Sequence, residues 1–225
     1  MTRDKTSANI YLFAAMAVLL NACVTAKLDD KKSATTGIAS GESVVVMAKS
    51  YHLGNETERS FTNCVGKALA GGREGLEVMP NEQFVDGLFP WFEPRTAPSH
   101  LKNLPKFMQR PGVAKKIEQS GVRYVIWLDG QTDKTSAGGS MSCAAGPGGG
   151  GCFGFAWWET ASNYEATVWD LKHLQSAGTV SADVSGTSYL PAIVIPIPLI
   201  ARTQTAACTN LADSLQRFIN TEETS

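Results

Sequence analysis

The sequence predicts an α/β fold, with helices packed on a mixed β-sheet in a single compact domain that follows a signal peptide and a flexible tether. Some short segments are rich in β-branched and aromatic residues. Within them, apolar residues either alternate with polar ones or follow one another without a break, and both patterns are typical of strands. Between them, apolar residues recur at three- and four-residue spacing, which is typical of amphipathic helices. The order strand, helix, strand, helix, helix, strand, hairpin, helix favours a sheet covered by helices.

The chain begins with a short apolar segment that ends near a cysteine. Residues 10–20 are apolar, and Arg3 and Lys5 precede them. This length matches the apolar region of a signal peptide and falls short of the roughly 20 residues that cross a bilayer as a helix. We therefore predict a signal peptide over residues 1–22.

The segment Leu20-Asn-Ala-Cys23 resembles the lipobox of bacterial lipoproteins. The resemblance implies that the thiol of Cys23 is diacylated, that the peptide is cut before it and that the new amine is acylated, so that lipid anchors the chain. Val24 stands where lipoproteins of the inner membrane usually carry Asp, which implies the periplasmic face of the outer membrane. A short membrane anchor, or a secreted protein with a coincidental cysteine, is the alternative.

Residues 23–42 contain almost no bulky apolar side chain, so we predict that they form a lipidated, flexible tether. The α/β domain is predicted over 43–220. It starts with a strand at 43–51, and a short strand follows at 76–79. Between these strands we predict a helix that ends at Gly71 and buries one apolar stripe, formed by Phe61, Cys64, Val65, Ala68 and Leu69.

The middle of the chain predicts two further helices and the clearest strand. Asn81 is a candidate N-cap for a helix through Leu88, and a proline-rich ordered connection follows over 90–111. A helix over 113–120 precedes the strand at 123–129, which is rich in β-branched and aromatic residues.

The last part of the chain predicts a hairpin and a closing helix. Alternation around Tyr164 and again over 179–187 predicts two strands joined at 170–178. The final helix is predicted over 205–219 from an apolar stripe at Ala207, Cys208, Leu211, Leu215 and Phe218.

Two short motifs in these strands are similar to one family of envelope domains. The run Gly121-Val-Arg-Tyr-Val-Ile-Trp-Leu-Asp-Gly130 is similar to a "Gly-Ala-x-Tyr-Val" strand, and Val168-Trp-Asp-Leu171 to a "strand, Asp, turn, strand" hairpin. Both resemble the domain shared by the curli secretion lipoprotein CsgG, lipoprotein activators of penicillin-binding proteins and the N-terminal domain of the Tol-system propeller protein. The resemblance implies the same α/β sandwich over about 43–219.

Four cysteines remain once Cys23 is assigned to lipid, and an even number in an exported chain favours disulfides. Cys143 and Cys152 bracket a glycine-rich loop that can bring their Cα atoms to the roughly 5.5 Å that a disulfide needs. By elimination, Cys64 would then pair with Cys208. The alternative for this second pair is two buried free thiols.

Two apolar segments are candidate binding surfaces. One carries Phe153, Phe155, Trp157 and Trp158, which either bind a partner at the surface or alternate along a strand with half of them in the core. The other, residues 190–201, contains three prolines and is either an exposed binding segment or a buried connector.

Other signals are weak. The glycine run lacks the Gly-Lys-Ser/Thr of a phosphate-binding loop, and His52, His100 and His173 have no metal-ligand spacing. We therefore predict no catalytic residue, metal or cofactor. The net charge of −1 does not favour nucleic acid as a partner.

These observations predict a non-catalytic, lipid-anchored envelope protein whose domain binds a periplasmic protein. The CsgG resemblance supplies an alternative, an oligomeric secretion-channel component, and an oligomer is compatible with the sequence. A cell-envelope hydrolase is the third interpretation, and a Ser or Asp within about 3 Å of a histidine in a cleft would favour it.

Overall fold

Six strands form one mixed sheet in the order β1-β6-β5-β4-β2-β3. The computed structural model describes residues 24–48, 57–92, 96–98 and 100–221. The strands are β1 Val24–Lys32, β2 Ser43–Ala48, β3 Val78–Met79, β4 Val122–Gly146, β5 Gly149–Asp170 and β6 Gln175–Pro196. The helices in the described residues are α1 Arg59–Ala70, α2 Asn81–Gly87, α3 Leu104–Met108, α4 Val113–Ser120 and α5 Thr203–Asn220.

The sheet is mixed because its two halves are connected differently. Strand β2 pairs in parallel with β3 and with β4, since helices or long connections separate them in sequence. Short turns join β4 to β5 and β5 to β6, which makes these pairs antiparallel hairpins. The predicted fold class, an α/β fold with helices packed on a mixed sheet, is confirmed.

Strand alternation creates two apolar cores, one on each face of the sheet. Val44 and Ile126 point into the larger core beneath α1 and α5, whereas Val45 and Trp127 point into the smaller core beneath α2, α3 and α4. The predicted helical stripes of α1 and α5 lie in the larger core, which confirms both helices.

Both predicted disulfides are present. Cys64 on α1 is bonded to Cys208 on α5, with 6.2 Å between their Cα atoms, so the alternative of two free thiols is wrong. Cys143 on β4 is bonded to Cys152 on β5, with 4.0 Å between their Cα atoms.

The segment predicted as a flexible tether contains a strand, and the prediction is corrected for residues 24–32. Strand β1 lies at the edge of the sheet beside β6, where the Ser33 N–H donates to the Ala177 carbonyl at 2.8 Å. Such an edge strand is held by main-chain hydrogen bonds and its charged side chains face water, so composition gave no sign of it. Cys23 and the predicted signal peptide lie outside the described residues.

Three smaller corrections concern the middle of the chain. Pro80, not Asn81, is the N-cap residue of α2, and Asn81 is its first helical residue. The connection over 90–111 contains a 3-10 turn at Leu101–Asn103 and helix α3. Strands β4 and β5 continue through the glycine-rich segment that was predicted to be a loop.

Contacts between Cα atoms divide the described residues into two compact units. The three-strand unit contains residues 24–25, 133–161 and 185–203. The helix–sheet unit contains residues 26–132, 162–184 and 204–221, apart from those not described, and includes both cores.

Candidate binding surface

The three-strand unit is built from parts of β4, β5 and β6 that consist largely of small residues. Gly139 and Gly154 have φ angles of +100° and +149°, and a Cβ at either would lie 2.2 to 2.4 Å from a carbonyl oxygen of the facing strand. Only glycine fits this backbone at such a close approach. The disulfide between Cys143 and Cys152 joins the same two strands near their turn.

The four aromatic residues predicted as partner-binding lie on β5 in this unit. Phe153 is 75% exposed and Phe155 is 46% exposed, while Trp157 and Trp158 are half-buried. The interpretation that half of these rings fill the core is therefore wrong. Because side chains alternate along a strand, Phe153, Phe155 and Trp157 share one face of the sheet. Partner binding by these residues stays a prediction.

Tyr189 on β6 extends this face, although its sequence position gave no functional signal. Its ring stacks on Phe155 with 5.9 Å between centroids. This cross-strand contact places aromatic surface from two neighbouring strands together.

The proline-rich segment is exposed, so the interpretation of 190–201 as a buried connector is wrong. Strand β6 runs to Pro196, and a turn centred near Val194 brings Leu199 back beside Tyr189 in an antiparallel bridge. The turn is held by the Ile197 N–H, which donates to the Pro191 carbonyl at 3.0 Å. Five aliphatic residues are exposed here, namely Ile193, Val194, Ile195, Ile197 and Ile200.

Charge is absent from most of the three-strand unit. Residues 135–158 and 185–201 include no Asp, Glu, Lys, Arg or His, although charged residues make up 18% of the whole chain. We call these two ranges the uncharged surface. Charges return directly beside it, where Ser136 Oγ donates to Glu159 Oε2 at 2.6 Å and Lys134 Nζ lies 6.0 Å from the Trp158 ring centroid.

A second candidate site is a cluster of charged residues in the helix–sheet unit, at the turn between β5 and β6. Arg123 lies 2.9 Å from Glu42 and 3.4 Å from Asp170, and Lys172 lies 2.9 Å from Glu42. His173 Nδ1 lies 2.8 Å from Asp170 Oδ2. Nearby is a cavity of about 420 Å³ lined by Thr35, Thr36, Gly37, Ile38, Ala39, Arg123, His173 and Gln175.

The geometry of this cluster accounts for the turn. Asp170 Oδ1 accepts the backbone N–H groups of Lys172 and His173 at 2.9 and 3.1 Å, and Asp170 is buried. Burial acts to raise the pKa of Glu42, but hydrogen bonds from Ala39 N, Lys172 and Arg123 lower that pKa to about 2. The opposite charges are paired with one another, so the cluster presents no unbalanced charge to a ligand.

The Asp170–His173 pair meets the condition set for a hydrolase, because the two side chains lie 2.8 Å apart and His173 lines the cavity. A triad also needs a nucleophile beside the histidine. The lining of the cavity, as far as the structure describes it, contains two threonines and no Ser or Cys, and Thr36 Oγ1 donates to the Phe218 carbonyl at 2.5 Å. His173 and Asp170 thus serve the turn.

A third polar group surrounds Tyr164 in the helix–sheet unit. Its hydroxyl donates to Glu58 Oε2 at 2.9 Å and lies 2.8 Å from Thr132 Oγ1, and its ring stacks on Phe61. Burial and the Glu58 carboxylate raise the pKa of Tyr164 to about 12, which keeps the phenol neutral. The sequence predicted Tyr164 as a strand residue and gave no sign of these partners.

The described residues hold no cluster of His, Cys, Asp and Glu suited to a metal ion. His100 is exposed, and His52 lies outside the described residues. Within the same described ranges, no helix is long and apolar enough to cross a membrane.

No protein-family model matches this sequence, and no curated protein sequence matches it. Among solved structures, the chain is similar to two PelC dodecamers from Paraburkholderia phytofirmans. One, a single-substitution variant, is 13% identical with a TM-score of 0.39, and the other is 12% identical with a TM-score of 0.36. Each match covers 88% of this chain and 99% of the PelC chain. TM-scores this low do not establish a shared fold, so nothing about the present chain is inferred from PelC.

Proposed function

We propose that this chain is a lipid-anchored protein of the cell envelope that works by binding and not by catalysis. Lipid on Cys23 anchors it at the periplasmic face of the outer membrane, and the uncharged surface of the three-strand unit binds a partner there. The single observation that carries the proposal is this surface, which is both uncharged and exposed.

Exposed apolar residues are common when scattered, but a contiguous apolar patch usually marks a site of interaction. Here nine of the eleven large hydrophobic residues described as exposed belong to the three-strand unit, at Val24, Phe153, Phe155, Tyr189, Ile193, Val194, Ile195, Ile197 and Ile200. Leaving so much apolar area in water would favour aggregation. A partner that covers this area removes that cost.

Photocrosslinking tests the binding surface directly. A photoreactive phenylalanine analogue at Phe153 should form adducts in intact cells, because this side chain faces the partner. The matched control is the analogue at Phe89, an exposed phenylalanine of the helix–sheet unit. Equal adducts at both positions, or none at Phe153, would contradict the proposal.

Metabolic labelling tests the anchor. Radiolabelled palmitate should enter the chain with Cys23 intact and should be absent from a Cys23→Ala variant, because the thiol is the acylation site. Equal labelling of the two chains would show that the lipid is elsewhere or is not attached.

A further inference from the structure

We propose that the partner of the uncharged surface is the lipid bilayer itself, in the leaflet that the lipid on Cys23 would enter. This inference rests on the proposed function, since it identifies what covers the same surface. The face that carries Phe153, Phe155 and Tyr189 turns toward the acyl chains, and the strand edges stay at the level of the head groups.

The first argument is the position of Val24 and Thr25. Val24 and Thr25 belong to the three-strand unit, and Val24 directly follows the predicted lipid site. Val24, the residue after the predicted lipid site, already belongs to strand β1, so no tether of some twenty residues separates that site from the sheet. An acyl chain at Cys23 would hold the three-strand unit against the bilayer.

The register of β1 against β6 shows which part of β6 lies beside Val24. A Cβ at Gly178 would contact the Lys31 carbonyl, and Ser181 Oγ donates to the Asp29 carbonyl at 3.5 Å. The residue number rises along β6 as it falls along β1, so the two strands are antiparallel. Continued along the strand, this register places Val24 beside the start of the 185–201 range, which is part of the uncharged surface.

The complete lack of charge is the second argument. Interfaces between proteins are enriched in Arg and have a polar rim, and taken whole they are about as polar as other protein surface. Hydrocarbon, in contrast, disfavours every charged side chain. A surface drawn from two ranges of the chain without Asp, Glu, Lys, Arg or His matches hydrocarbon better than it matches a protein.

The order of residues along β5 is the third argument. Exposed Phe153 and Phe155 come first, half-buried Trp157 and Trp158 follow, and charged Glu159 comes next. Tryptophan is enriched where hydrocarbon meets water, and charges belong on the aqueous side. With about 3.3 Å per residue, Phe153 and Glu159 are roughly 20 Å apart along the strand, so Glu159 can stay in water while the face at Phe153 contacts the acyl chains.

The backbone limits the depth of contact. Within the three-strand unit, β4 and β6 flank β5, and unpaired main-chain groups at a sheet edge cannot be exposed to hydrocarbon. One copy therefore lies in the interfacial region and does not cross the membrane. Water and head groups there can hydrogen-bond the edge groups.

The depth of the tryptophans can be measured on the lipidated chain. The protein is reconstituted in vesicles of phosphatidylethanolamine and phosphatidylglycerol whose acyl chains carry bromine, which quenches nearby tryptophan. We expect quenching that falls by about half or more in a Trp157→Phe, Trp158→Phe variant, because these rings lie at the acyl boundary. A Trp91→Phe variant in the helix–sheet unit is the control and should leave quenching unchanged.

A flotation assay separates the surface from the lipid. The Cys23→Ala chain should float with the same vesicles, and adding Phe153→Ser and Ile193→Ser should weaken its partitioning by about tenfold or more, because two exposed apolar side chains are lost. Phe89→Ser provides the matched control. Since Phe153 and Ile193 are 75% and 79% exposed, their replacement leaves the fold intact.

The outcomes distinguish the two proposals. No bromine quenching in a chain that carries palmitate, or adducts from Phe153 that contain a protein and no lipid, would overturn the bilayer contact and leave the anchored binding protein in place. Absence of palmitate together with flotation of the Cys23→Ala chain would overturn the anchor and support the bilayer contact.

Discussion

At the scale of single residues, Asp170 shows how one buried carboxylate organises a turn. It accepts two backbone N–H groups of the turn and pairs with Arg123 and His173. A buried charge is stable only when such partners surround it. The sequence placed Asp170 at the start of the hairpin but could not identify Arg123 as its partner, because Arg123 lies 47 residues away in the chain.

Replacing Asp170 by Ala should lower the free energy of unfolding by about 2 to 4 kcal/mol, because Arg123 loses a buried partner and two backbone N–H groups lose their acceptor. Urea denaturation measures the change. Lys172→Ala is the control, because Lys172 is 58% exposed and its ion pair should contribute less than about 1 kcal/mol. Equal losses in the two variants would contradict this role for Asp170.

Glu42 should make the protein sensitive to acid. Because its pKa in the folded chain is about 2, below the ordinary value of 4.5, its contribution is complete above pH 4.5 and is lost as the pH falls toward 2. We expect a difference of about 1 kcal/mol between the parent and Glu42→Gln that shrinks over this window, a figure reduced for partial exposure. Denaturation curves at several pH values test it, and a constant difference would contradict it.

At the scale of elements, the sequence predicted those strands and helices that bury apolar residues. The stripes of α1 and α5 and the alternation at Tyr164 were sufficient because a core selects apolar side chains at a fixed period. Strand β1 and residues 133–146 of β4 carry no such pattern. Main-chain hydrogen bonds hold them, and these bonds leave little trace in side-chain composition.

The glycines of β4 provide a test at this scale. Gly139→Ala should destabilise the three-strand unit by about 1 to 3 kcal/mol, because its φ is +100° and a Cβ would lie 2.2 Å from the Phe155 carbonyl oxygen. Gly146→Ala is the matched control, since no atom lies within 4 Å of a Cβ there. Limited proteolysis should cut residues 133–161 faster only in the first variant, and equal rates would count against the close approach.

At the scale of the whole molecule, the two disulfides act over very different lengths of chain. The bond between Cys64 and Cys208 spans 144 residues, and the bond between Cys143 and Cys152 spans 9. The sequence predicted both pairs, because only the short glycine-rich loop suited a local bond. It did not predict the exposure of the aromatic and proline-rich segments, which depends on what the neighbouring strands leave uncovered.

Removing the long-range bond should cost more stability than removing the local one. Closing the longer loop restricts the unfolded chain more, so we expect losses of about 3 to 5 kcal/mol for Cys64→Ala, Cys208→Ala and about 2 to 3 kcal/mol for Cys143→Ala, Cys152→Ala. Calorimetry on both double variants measures the difference. A larger loss from the local pair would show that loop length does not determine the effect.

The connectivity of these bonds also bears on how the chain matures. The pairs are nested, because Cys143 and Cys152 both lie between Cys64 and Cys208 in the chain and would emerge between them in the export that we propose. An oxidase that joins cysteines in order of appearance would first link Cys64 to Cys143, and only thiol–disulfide exchange can convert that link to the native one. Biogenesis of this protein should therefore depend on a disulfide isomerase, and cells that lack one should accumulate the mispaired form.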